Sequence, residues 1–117
     1  MDFVRLGFNL FQFLIGAGGL FVAAVGSEMG AVFGLAILAV SLLILVGAIQ
    51  ILRDAKGGRG LLLTAWSILS FFHLTILIFS LVEIFQNETS WSSAAGNYIL
   101  AFLAVSISAL FTNYKMN

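Results

Sequence analysis

The sequence predicts an all-α fold, a bundle of four transmembrane helices with both ends of the chain on the cytoplasmic side. Three observations carry that expectation. Long apolar runs at about 3–25, 31–52, 61–85 and 94–113 fill nearly all of the 117 residues. The first three exceed the ~20 helical residues needed to cross a hydrocarbon core of ~30 Å. The composition agrees, being 62% hydrophobic and 9% charged with a mean hydropathy of +1.14, against about 25% charged residues in an ordinary soluble domain. The charges themselves sit only at the ends of the runs. With four spans, Arg5, Arg53, Lys56, Arg59 and Lys115 all fall on one side, and only Glu28, Glu83 and Glu88 face the other. Lys and Arg accumulate in cytoplasmic loops, so that side is read as cytoplasmic, and the one-sided bias argues against dual topology. The expected location is therefore integral and multi-pass, in the cell (inner or plasma) membrane, with a single membrane domain over 1–117 and no room for an extramembrane one.

The first run is too long for the apolar region of a signal peptide and leads directly into a second span, so it reads as a transmembrane helix that also directs insertion. It ends at Gly26-Ser27-Glu28-Met29-Gly30, where glycine supplies the positive φ that a tight reversal needs. The second run stops at Arg53, before the basic turn Arg53-Asp54-Ala55-Lys56-Gly57-Gly58-Arg59. The third extends to Phe85, and 86–93 forms the second outer loop. The fourth is the least regular, because Gly96 and Asn97 fall in its first turn. Trp91 and Tyr98 near one membrane surface, and Trp66 and Tyr114 near the other, fit the aromatic belts of membrane proteins. With no proline in the chain, no span carries the proline break common in transporter helices.

In lipid, apolar side chains say little about which faces meet, because lipid tails are equally oily. Small residues that let backbones approach, and polar groups that bond across the interface, are the informative ones. In the first helix Arg5, Asn9, Gln12, Gly16, Gly19, Ala23 and Gly26 follow one another at steps of three and four, which keeps them on one face. Ala94, Asn97, Ala101, Ala104, Ser108 and Thr112 repeat the pattern in the fourth. Gly16, Gly19, Ala23, Ala101, Ala104 and Ser108 are thus the expected helix-packing residues, within the bundle or against a neighbouring subunit. A second reading makes the same stripe one wall of a narrow pathway, with Asn9 and Gln12 at its mouth and Ser41 and His73 deeper in. There the helix would unwind at Gly16-Ala17-Gly18-Gly19 to offer carbonyls to an ion.

His73, the one histidine, falls near the middle of the third run, on one face with Trp66, Ser70, Leu77 and Ser80. Three roles stay open for it: a neutral imidazole bonded to a hydroxyl or carbonyl in the packing, a cofactor-binding axial ligand to haem or chlorophyll, and a polar group lining a pathway. A lone histidine offers a macrocycle one ligand only. Several chemistries are disfavoured. No Asp or Glu lies mid-span, where proton-coupled transporters keep one. Glu83 reads as interfacial. The absence of cysteine removes thiolate metal sites and thiol catalysis. No nucleophile is accompanied by a base and an orienting acid, and phosphate-loop and metal-ligand motifs are missing. No basic run has the footprint of a nucleic-acid binder. The sequon Asn87-Glu88-Thr89 sits in a very short loop and is a motif frequent by chance. The expectation is a non-catalytic, small integral membrane subunit, not an enzyme, with no resident cofactor or metal. Its partners are the lipid bilayer and either other membrane subunits or copies of itself. Alternatives from other classes are a small oligomeric channel or transporter, and a haem- or chlorophyll-bearing subunit using His73.

Overall fold

The computed structural model describes residues 2–25, 30–87 and 96–117. Expectations that fall on 26–29 and 88–95, among them the first outer turn, Trp91, Ala94 and the sequon, lie outside the described residues. The described chain forms four α-helices: α1 (Phe3–Val25), α2 (Ala31–Leu52), α3 (Gly58–Asn87) and α4 (Gly96–Met116). All four are long and apolar enough to cross a membrane.

The α2–α3 turn is built by local backbone chemistry. Asp54 adopts a left-handed conformation at φ 54°. Its N–H donates to the Ile51 carbonyl at 3.1 Å, and the Ala55 N–H donates to that of Gln50 at 2.8 Å. These paired bonds are the Schellman closure of a helix, which satisfies carbonyls that have no partner further along. Gly57, at φ 94°, then turns the chain into α3, which begins at Gly58 and not at 61 as the apolar run suggested. Contact between glycines explains the earlier start. A Cβ on Gly58 would lie 2.7 Å from the Gly47 carbonyl oxygen, and one on Gly47 would meet the Leu62 side chain at 2.8 Å. The first turn of α3 therefore sits directly against the α2 backbone. At the other end of the chain α4 continues past 113, its helical bonding running on to the Asn117 N–H, which donates to the Asn113 carbonyl at 3.1 Å.

Helices adjacent in sequence pack on one another, α1 with α2, α2 with α3 and α3 with α4. The overall extents, 50 × 30 × 19 Å, are those of a flattened bundle. Burial is concentrated in one half. Its apolar core is Ile44, Ala48 and Ile51 from α2, Leu62, Ala65 and Trp66 from α3, and Ala109 from α4. This half, the base, holds the α2–α3 turn and both terminal segments, since Arg5 Nε donates to Asn117 Oδ1 at 2.9 Å. Beyond mid-height the buried described residues are few: Gly16 and Ser41, where α1 meets α2 just past the middle, and Gly96. Among the described residues the packing is dense at the base and sparser toward the other end.

Candidate functional site

The base is held by amide groups that lie far from water along the chain. Gln12 lies nine residues into α1, about 13 Å along the helix at 1.5 Å per residue, and Asn9 is one turn nearer the end. Both are 0% exposed, as is Asn113 on α4. An unpaired amide in such a place costs several kcal/mol, so each group must find a partner. Gln12 Oε1 accepts from Trp66 Nε1 at 2.9 Å and from Asn113 Nδ2 at 2.6 Å. Gln12 Nε2 donates to Asn9 Oδ1 at 2.9 Å. Asn9 Nδ2 in turn donates to the Arg5 carbonyl at 2.9 Å and to Asn117 Oδ1 at 3.2 Å. Asn117 Nδ2 closes the ring by donating to Asn9 Oδ1 at 3.1 Å and Asn113 Oδ1 at 2.9 Å. One connected set of hydrogen bonds thus ties α1, α3 and α4 together, while α2 packs alongside through its core residues.

The expected stripe on α1 is the face that enters this arrangement. Asn9, Gln12 and Gly16 are its buried residues. A Cβ on Gly16 would lie 2.7 Å from the Leu45 backbone nitrogen, and one on Gly19 would collide with the Ser41 hydroxyl, whereas Gly18 has open space. Gly16 and Gly19 therefore admit α2, and Ala23 continues the seam as one wall of an apolar cleft of about 520 Å³ between α1 and α2. The helix runs unbroken through Gly16-Ala17-Gly18-Gly19, so the unwound segment that a pathway reading requires is not formed. Asn9 and Gln12 face protein partners and no open mouth.

On the fourth helix the expected stripe is not the face that packs within the chain. Ala101, Ala104 and Ser108 are exposed, and the inward face is carried by Ser106, Ala109 and Asn113. Polar demand explains the rotation: Asn113 turns to Gln12, and Ser106 turns to the histidine. Ala104 and Ser108 instead border a shallow groove against Phe8 and Phe11 of α1. Trp66 is also displaced from its expected role. It is buried in the core, 2% exposed, so its indole meets protein groups and not a headgroup layer. Its bond to Gln12, shared with Asn113 on the same oxygen, was missed from sequence, although a buried indole N–H and in-span amides each require a bond, and that requirement was the available signal.

His73 sits beside the sparser half. Its Nδ1 lies 3.3 Å from Ser106 Oγ, and the same hydroxyl donates to the Phe102 carbonyl at 2.8 Å. A hydroxyl has one proton. With it committed to the carbonyl, the hydroxyl meets His73 Nδ1 through its lone pairs. The ring stacks on Phe102 with centroids 5.5 Å apart and meets Phe72 edge-on at 5.7 Å. Its position is thus set by two aromatic neighbours and a hydroxyl. Ser70 Oγ and Gln50 Oε1 are buried without a hydrogen-bond partner among the described residues. Among those residues no three His, Cys, Asp or Glu side chains come together. The fold and site define a small helical protein with membrane-length spans and a polar clamp at one end. No protein-family model matches the chain, nor does any curated protein or solved structure.

Proposed function

We propose that this chain is a non-catalytic integral membrane subunit whose base folds on itself and whose α4 face seats a transmembrane helix of another subunit or of a second copy. The observation that carries the reading is the exposure of Ala101, Ala104 and Ser108 on one side of α4. A helix that meets only lipid gains nothing from small side chains there, whereas a neighbouring helix gains close backbone approach. The sparser half of the bundle, where few described residues are buried, adds surface for the same partner. Asn9 and Gln12 support a packing role over a transport role, because their amides are spent on each other and on Asn117, Trp66 and Asn113. The charge of the basic end, carrying Arg5, Arg53, Lys56, Arg59 and Lys115, supports a cytoplasmic base.

The test is the mass of the assembly in mild detergent. The expected result is a particle heavier than one 12.6 kDa chain, or a co-purifying membrane protein. Ala104→Leu should dissociate it while the melting temperature of the isolated chain is kept. Val22→Leu, on an exposed position of α1, should leave the assembly intact. A wild-type chain that is monomeric and alone, in detergent and in bilayer discs alike, would refute the reading.

A further inference from the structure

We propose that a cavity at the base, framed by Arg5, Lys56 and Arg59, binds a phosphate oxyanion, supplied by the headgroup of an anionic lipid. The cavity, open on one side, has a volume of about 280 Å³ between α1, the α2–α3 turn and the C-terminal segment. At ~30 Å³ per water this is room for roughly nine waters, enough for one phosphate group and its ester arms. Three cations and one carboxylate, Asp54, border it, so the local charge is net positive. Among the described residues no carboxylate forms an ion pair with any of the three cations.

Both guanidinium groups are held in place by one neutral bond each. Arg5 donates its Nε to Asn117 Oδ1 at 2.9 Å, so its two terminal amino groups stay available. Arg59 donates one terminal nitrogen to the Tyr114 carbonyl at 2.9 Å and lies 5.2 Å over the Tyr114 ring, leaving the rest of its fork. Anchored forks lose little freedom when they meet an oxyanion, and phosphate matches their geometry. The start of α3 borders the same cavity through Gly58 and Arg59, so the positive dipole end of a helix lies beside it. Depth selects the source of the phosphate. The molecule is 50 Å long against a hydrocarbon core of ~30 Å, so its ends reach the headgroup layer, where basic pockets between transmembrane helices meet lipid phosphate. This inference is independent of what docks on α4.

The experiment is thermal melting of the full chain in a neutral detergent, titrated separately with phosphatidylglycerol, phosphatidylcholine and inorganic phosphate. Phosphatidylglycerol should raise the melting temperature saturably, and phosphatidylcholine should not. Lys56→Gln should weaken the apparent affinity about fivefold, and Arg59→Gln roughly tenfold, from the usual contributions of one basic residue and one charge-assisted bond. Lys115→Gln and Arg53→Gln remove cations from the same end but not from the cavity, and should each change it less than about twofold. If inorganic phosphate reproduces the rise, the oxyanion site stands and its natural ligand is a soluble anion. The proposal is overturned if neither phosphate source stabilises the protein, or if the four single variants lose affinity equally, which is the mark of diffuse surface attraction. Should Arg59→Gln not fold, Lys56→Gln decides the matter, since Lys56 is an exposed turn residue.

Discussion

Replacing Gln12 by Met keeps length and shape but removes every hydrogen bond the side chain makes. Three are lost, to Trp66, Asn113 and Asn9. Interhelical hydrogen bonds in membranes average ~0.6 kcal/mol and reach ~1.7, so the three together account for about 2 kcal/mol. The partners are not left equally exposed to the loss. Asn113 Nδ2 still donates to the Ala109 carbonyl at 2.9 Å, and Asn9 Oδ1 still accepts from Asn117. Trp66 Nε1, buried in the core, retains nothing, and an orphaned buried donor costs about 1–3 kcal/mol. The expected destabilisation is therefore about 2–4 kcal/mol, measured by circular dichroism during titration of the detergent-solubilised protein with sodium dodecyl sulfate. Trp66→Phe, which leaves Gln12 its bond to Asn113, should cost less. The double variant should show a coupling of about 0.6–2 kcal/mol between the two positions. A Gln12→Met protein within ~0.5 kcal/mol of wild type, the range of a neutral surface change, would show that the amide ring does not hold the base together.

Three other expectations test separate parts of the structure. Gly16→Ala should destabilise by ~1–3 kcal/mol through overpacking against the Leu45 backbone, whereas Gly18→Ala, with nothing within 4 Å of its Cβ, should be neutral or gain up to ~1 kcal/mol of helix propensity; equal losses in the same titration would mean that α1 is rotated. Single cysteines at Lys56 and Gln86, near opposite ends of α3, should react with an impermeant thiol reagent from opposite sides of the membrane, Lys56 from the cytoplasm, and labelling of Lys56 from outside would reverse the orientation. His73→Gln should be tolerated, and His73→Leu should cost about 0.6–1.7 kcal/mol, the worth of one interhelical hydrogen bond, since Ser106 keeps its bond to the Phe102 carbonyl; loss of a visible absorption band from purified His73→Leu protein would instead assign the ring to a macrocycle.

How much of this was legible in the sequence follows from which residues advertise their surroundings. The spans were legible because a bilayer demands a fixed length of apolar helix, and the charges bracket each run. The inward face of α1 was legible for a related reason. Asn9, Gln12, Gly16 and Gly19 are each poorly suited to face lipid, and their spacing leaves one face for all of them. In α4 that reasoning fails, because alanine is at ease on either side of a membrane helix. Ala101, Ala104 and Ser108 made as regular a stripe as Ser106, Ala109 and Asn113, and nothing local separates the two. The decision lies in the partners: Asn113 turns inward because Gln12 is there to accept from it, and Ser106 because His73 is. Trp66 was equally undetermined, since an indole satisfies its N–H as well in a headgroup layer as on a buried glutamine. Sequence by itself therefore pointed to four membrane-length helices and to the polar face of α1, both of which follow from the cost of placing a charge or an amide in hydrocarbon. Only the tertiary structure decided which groups share those amides, that the core occupies one half of the bundle, and that Arg5 joins Lys56 and Arg59 at one cavity. Each of these is a meeting of residues far apart in the chain, and no local cost selects among the possible meetings.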